Sequence, residues 1–337
     1  MRSLRSILGA LLAVLGGCHG VQSALQPGGS GAATIYQLWL LFLYVCAAVF
    51  VLVMAALLAV MVRRRSIVAP LSEPALDRDT PAERRLGFLL KIGTGITAAI
   101  LLVFTAASYS VGTSLFAPAE NALDIELIGH RWWWEVRYPA SIAGQTVTSA
   151  NEIHIPAGAK VRVTLHADDV IHSLWVPNLH GKMDLIPGQT NRLVLMADHP
   201  GRFRGQCAEF CGLQHAFMAL YVVAAAPDDF RRWLEHESRA APEPTTDIDK
   251  RGRQVFADNC AVCHPIHGFR EEGKIGPDLT HLANRIDIGA GRLPNSRGNR
   301  AGWINDAPSL KPGVYMPPFR LPPDELQALL GYLDTLQ

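Results

Sequence analysis

The sequence predicts a multidomain membrane protein: a two-helix transmembrane hairpin, then an all-β domain, then a small all-α domain. Three observations carry this. Two uncharged apolar runs, residues 35–62 and 92–119, lie in the first third of the chain. Short alternating segments punctuated by Gly and Pro fill the middle. Two helical patterns follow a Pro-containing linker and flank a paired-cysteine motif.

Taken in order, the chain opens with Arg2 and Arg5 before an apolar run over residues 7–15, the layout of a secretory signal over residues 1–17. Leu15-Gly-Gly-Cys18 looks like a bacterial lipobox, which makes Cys18 a candidate for diacylation; an ordinary signal peptide fits the same residues. Residues 18–116 then hold an N-terminal segment and two spans, at about 35–62 and 90–115. A bilayer core needs about 20 apolar residues, so both runs are long enough to cross it. Between them, residues 63–91 carry seven Lys or Arg, whereas residues 18–34 carry none. By the positive-inside rule the basic loop is cytoplasmic, and the domains that follow face the periplasm of a bacterial inner membrane. A net charge of +1 gives no electrostatic footprint for nucleic acid.

Residues 117–237 form the β domain. Its alternating segments include Asp124-Ile-Glu-Leu-Ile, Lys160-Val-Arg-Val-Thr-Leu, Arg192-Leu-Val-Leu and Ala219-Leu-Tyr-Val-Val, with turns at Pro156-Ala-Gly158, Pro187-Gly188 and Pro200-Gly201. Such spacing indicates a sandwich or barrel. Within it, Cys207-Ala-Glu-Phe-Cys-Gly-Leu-Gln-His-Ala-Phe-Met218 sets two thiols four residues apart, then an imidazole and a thioether. Soft thiolate and thioether donors favour copper, and imidazole suits it too. Zinc held by Cys207, Cys211, His215 and a remote His is an alternative that leaves Met218 idle; a Cys207–Cys211 disulfide would leave both His215 and Met218 idle.

This loop resembles the binuclear copper (CuA) loop of cytochrome c oxidase subunit II. The likeness extends through Asp169-Val-Ile-His-Ser-Leu-Trp-Val-Pro177, Lys182-Met-Asp-Leu-Ile-Pro-Gly188 and Gly129-His-Arg-Trp-Trp-Trp134. It implies a cupredoxin-like Greek-key β-barrel. It also implies that Cys207 and Cys211 bridge two coppers, that His172 and His215 cap them, and that Met218 and the Glu209 carbonyl are weak ligands. The Glu209 side chain would reach a Mg2+ shared with the catalytic subunit. Three consecutive Trp cannot all face one core, because strand side chains alternate. At least one is therefore expected at a surface or interface, and the resemblance points to Trp132 as the place where electrons enter.

Residues 238–248 have linker composition, and residues 249–337 form the last domain. Cys260-Ala-Val-Cys-His264 is the c-type haem attachment motif: two thioether bonds, with His264 as axial ligand. Met316, the only methionine after residue 218, is the candidate sixth ligand, with His267 and His281 as rivals. Helical patterns over 249–259 and 323–336 match the terminal helices of the class I cytochrome c fold, and Gly276-Pro-Asp-Leu279 resembles the segment that orients the axial His.

The whole chain therefore resembles subunit II of a caa3-type oxidase, which implies an electron-relay role. Electrons from cytochrome c or another periplasmic donor would pass through haem c and CuA to subunit I, which reduces O2 with proton pumping; subunit III is a further expected partner. The alternative is a membrane-anchored di-copper and haem c carrier serving another periplasmic reductase.

Overall fold

Strand periodicity decides how the middle of the chain folds. In β1 (Leu123–His130) Ile125 and Leu127 are buried while Glu126 between them is exposed, and in β5 (Val161–Ala167) Val161, Val163 and Leu165 alternate with Arg162, Thr164 and His166. The computed structural model describes residues 20–64, 81–140 and 144–337. The remaining strands of the domain are β2 (Trp133–Tyr138), β3 (Val147–Ala150), β4 (Glu152–Pro156), β6 (His172–Trp175), β7 (Met183–Leu185), β8 (Asn191–Leu195), β9 (Gly201–Cys207) and β10 (Ala219–Ala225). They form two five-stranded sheets, ordered β3-β2-β1-β5-β8 and β4-β10-β9-β6-β7. The pairs β1/β5 and β4/β10 are parallel and the rest antiparallel, a Greek-key arrangement around one core that includes Trp134, Tyr138, Leu165 and Leu174. The chain passes from one sheet to the other at Asn151, whose φ of 62° suits Asn better than most residues, and whose Oδ1 accepts from the Trp134 N–H. A short helix, α3 (Pro227–Glu237), closes the domain with Phe230 and Leu234 against the core.

The C-terminal domain is built on α4 (Asp247–Asn259), α5 (Arg297–Leu310) and α6 (Pro323–Thr335), with a two-stranded ribbon of β11 (Asp287–Ile288) and β12 (Leu293–Pro294). Thr246 caps α4 by accepting from the Asp249 N–H at 3.1 Å. Helices α4 and α6 cross at Gly252, where an added Cβ would lie 2.0 Å from the Ala328 carbonyl. Phe256 and Tyr332 meet edge-on beside that crossing.

The residues of linker composition, 238–248, connect the two domains in contact with the second of them. Helix α4 already begins at Asp247, and the chain before it lies flat on the C-terminal domain. Ala241 N–H donates to the His267 carbonyl at 3.0 Å, and Glu243 pairs with Arg253 at 2.5 Å. Pro and Ala composition reads as flexible only while nothing binds the backbone, and here the backbone is bound.

A separate unit holds the two long helices, α1 (Ser30–Arg64) and α2 (Pro81–Leu115), which contain the expected spans. At 1.5 Å per residue, 35 residues reach about 50 Å, more than the roughly 30 Å of a bilayer core. Their apolar side chains point outward, with Phe50, Leu52 and Leu102 all well exposed, as suits a lipid surrounding. Thr97 and Thr105 return their hydroxyls to the carbonyls of Gly93 and Leu101, so these two donors are satisfied within the helix. Cys18 and most of the basic loop lie outside the described residues.

Candidate functional site

Sheet pairing brings the copper-loop residues together. Leu174 of β6 pairs with Cys207 at the end of β9, which sets His172 and Cys207 on neighbouring strand ends. The Cys207 N–H donates to the Met218 carbonyl at 2.9 Å and closes the loop between β9 and β10. Gly212, at φ +111°, turns that loop beneath the Trp132 ring, where a Cβ would come within 3.3 Å of the indole. The resulting constellation is tight and, apart from Glu209 and His215, buried. Cys207 Sγ lies 3.7 Å from Cys211 Sγ, 3.9 Å from His172 Nδ1 and 3.3 Å from the Glu209 carbonyl. Cys211 Sγ lies 3.7 Å from His215 Nδ1 and 3.8 Å from Met218 Sδ. All six sequence-predicted ligand atoms face one small volume.

Protonation follows from the same contacts. The Cys211 thiol donates to Cys207 and, against the opposing effect of burial, lowers its pKa, so the pair forms its first thiolate at Cys207. That thiolate and burial push Cys211 upward, so a cation is needed before both sulfurs ionise. His172 turns Nε2 to Asp169 Oδ1 at 2.9 Å, which leaves Nδ1 aimed at Cys207. The donor set of two thiols, two imidazoles, a thioether and a carbonyl fits a soft-metal pair, and Met218 is engaged as a zinc reading would not require. The Glu209 carboxylate, the expected Mg2+ contact, is ion-paired with Lys182 at 3.2 Å.

The three Trp separate as alternation demands. Trp134 is wholly buried and meets His172 edge-on; Trp133 is half-buried and stacks on His130. Trp132, the expected place of electron entry, lies at the interface between the two domains and is only 8% exposed, because the C-terminal domain covers it. Its Nε1–H donates to the Cys211 carbonyl at 3.0 Å, and its ring faces Gly313.

The same ring also lines a cavity of about 250 Å³ that contains Cys260, Cys263, His264 and Met316. A haem fits its chemistry: apolar walls, two thiols, an imidazole and a thioether. His264 is drawn down by burial, opposed by its Nδ1 contact with the Pro277 carbonyl at 2.8 Å. With that proton donated, Nε2 is left as the ligand atom. Gly276 passes so close that a Cβ there would lie 2.4 Å from the His264 ring. The rival imidazoles are elsewhere: His267 pairs with Glu271, and His281 contacts the Gln337 carbonyl.

Two residues that sequence reasoning missed hold this arrangement. Asp169 is one, and its signal was its place three residues before His172. The other is Lys311, only 1% exposed, whose Nζ donates to the carbonyls of Trp132, Phe217 and Gly289 at 2.7–2.8 Å. Burial pulls it down to about 7, yet three acceptors consume all three protons of the charged form, which a neutral amine lacks. Nothing local in the sequence marks it. Gln214 to the Pro312 carbonyl at 2.7 Å and Arg131 to the Tyr315 hydroxyl at 2.7 Å complete the seam.

Comparison with known proteins gives consistent results. Family models for the periplasmic domain of cytochrome c oxidase subunit II and for cytochrome c match residues 141–225 and 250–337. The chain is 36% identical to cytochrome c oxidase subunit 2 of Alkalihalophilus pseudofirmus, over 98% of this chain and 96% of that one. It is 30% identical to cytochrome c oxidase subunit 2 of Bacillus subtilis, over 65% of this chain and 64% of that one. The crystal structure of the periplasmic domain of subunit II of cytochrome oxidase from Bradyrhizobium japonicum matches 36% of this chain and 96% of its own, at 31% identity and a TM-score of 0.34.

Proposed function

Because this chain belongs to the cytochrome c oxidase subunit 2 family, the electron-transfer subunits of haem–copper oxidases, we propose that its two periplasmic domains form one docked relay with Trp132 at the seam. Family membership implies CuA and haem c, membrane anchoring by α1 and α2, and a subunit I partner. When bound, the copper pair and the haem each supply a one-electron carrier.

The residues holding the copper pair are His172, Cys207, Cys211, His215, Met218 and the carbonyl of Glu209. Those holding haem are Cys260, Cys263, His264 and Met316. Asp169 orients the His172 ring, Gly212 lets the loop close under Trp132, and Lys311 fixes the C-terminal domain on that indole. Burial of His172, Cys207, Cys211 and Met218 shields those donor atoms, while Phe210, Leu213 and Phe217 of the loop stay exposed. Charge placement between the spans supports the periplasmic orientation of both domains. An external donor, with cytochrome c the expected one, delivers electrons to the C-terminal domain, because that domain covers Trp132. Subunit III, and a Mg2+ meeting Glu209 at the boundary with subunit I, complete the complex. The finished complex reduces O2 and pumps protons in its catalytic subunit.

The observation that carries the relay is the double contact of Trp132, with the Cys211 carbonyl on one side and the Cys263–Met316 cavity on the other. The test is Trp132→Leu in the assembled oxidase, with reduction of the copper pair followed after flash reduction of the haem. We expect a fall of tenfold or more with both cofactors still present. An unchanged rate would remove Trp132 from the route.

A further inference from the structure

Away from the copper loop and the haem cavity, the two periplasmic domains enclose a second polar cavity, of about 370 Å³. His236 and Glu237, the last residues of α3, border it from the β domain, and His281 borders it from the C-terminal domain. One ligand atom from each of these three lies within 4.8 Å of the other two. We propose that His236, Glu237 and His281 bind one Zn2+, with water as fourth ligand, and that this ion staples the two domains at the root of the linker.

The orientation of His281 points to a cation. Its Nδ1 sits 2.7 Å from the Gln337 carbonyl and its Nε2 3.3 Å from the Arg239 carbonyl. Two carbonyl acceptors facing one ring favour positive charge at that place, whether a second proton or a bound cation. Opposite, the His236 ring centroid lies 5.0 Å from that of His281.

Glu237 is the second indication. Its carboxylate accepts no hydrogen bond among the described residues, and burial raises its pKa against the pull of His281, Arg285 and His154. A half-buried carboxylate without a hydrogen bond is stabilised by a cation beside it. The other charged groups at the cavity are already engaged. Glu152 takes the Ile286 N–H at 2.6 Å and His154 at 3.3 Å, and Arg285 donates to the Asp278 carbonyl. Arg285 forms no ion pair with Glu237 among the described residues.

The chemical class follows from the ligands. Two imidazoles and a carboxylate around an open position suit zinc, whose bonds of about 2.0–2.2 Å set ligand atoms roughly 3.4 Å apart in a tetrahedron. Closing from 4.8 Å asks for movements of about 1 Å, within the reach of side chains at a helix end. Calcium and magnesium, which take oxygen ligands, are disfavoured.

This site is independent of the copper reading and can fail without it. The experiment uses the full chain with copper and haem in place, freed of zinc by a mild chelator and then titrated with Zn2+ against a fluorescent zinc indicator. The expected result is one tight equivalent, weakened tenfold or more in both His236→Gln and Glu237→Gln, while copper and iron contents stay unchanged. X-ray absorption at the zinc edge should show only nitrogen and oxygen neighbours. A zinc shell containing sulfur would mean uptake at Cys207 and Cys211 and would overturn the site. So would the absence of a tight equivalent, or binding that survives both substitutions.

Discussion

At the scale of single residues, Asp169 shows how one carboxylate orients an imidazole proposed to hold copper. Burial raises its pKa, but the His172 ring and the backbone N–H groups of Val170 and Arg131 outweigh this and bring it down to about 2. Since the unfolded value is about 3.9, the folded state binds fewer protons between the two. Its contribution, on the order of 2 kcal/mol, is therefore present above about pH 4 and lost as pH falls toward 2. Asp169→Asn should lower copper affinity about 10–100-fold, read by competition with a copper chelator. In the copper-depleted chain, the stability difference between native and variant should shrink across that acid window. Equal pH profiles would mean that the carboxylate does not support His172. The residues proposed to hold copper were legible because five of the six lie within twelve residues, in a spacing that carries the family resemblance. Asp169 and Lys311 act through space, and no spacing reveals an ammonium that finds its carbonyls in two domains.

At the scale of elements, legibility followed periodicity. Strands with clean alternation, such as β5 and β10, were foreseen, as were α4 and α6. Helix α5 was not, because Arg297–Leu310 carries Gly298, Gly302 and Pro308, and the chain leaves helical geometry at Asp306. Packing against α6 overrides these weak propensities. The α4–α6 crossing offers a sharp test. Gly252→Ala would put a methyl 2.0 Å from the Ala328 carbonyl and 2.8 Å from Tyr332 Cβ, so the helices must separate. Overpacking of this kind costs about 1–3 kcal/mol or more, and each kcal/mol lowers the Tm of a domain this size by roughly 4–8 °C. Gly302→Ala, with open space at its Cβ, is the control and should leave Tm level or slightly raised. Equal melting of the two variants, both with haem attached, would mean that the crossing is looser than drawn.

At the scale of the whole molecule, the β domain and the C-terminal domain are docked and not loosely tethered, and sequence could not reveal this. The linker composition reads as flexible, and the seam is made by groups scattered from Arg131 to Tyr315. Docking replaces a diffusive search by one fixed geometry, in which residues 311–316 touch the copper loop at one end and the haem cavity at the other. Lys311 is the centre of that segment. In Lys311→Met the length of the side chain is kept and its three donors are lost. The carbonyls of Trp132, Phe217 and Gly289 are then buried without partners, at about 1–3 kcal/mol for each group left unsatisfied. Water can reach them only if the domains part, so the seam should loosen while each core stays folded. The expected outcome is intramolecular haem-to-copper electron transfer slowed severalfold and made sensitive to solvent viscosity, with the copper resonance signal and the haem absorption unchanged. A variant that melts earlier but transfers electrons at the native, viscosity-independent rate would show that Lys311 serves stability alone, and that Trp132 is held in place by the remaining contacts.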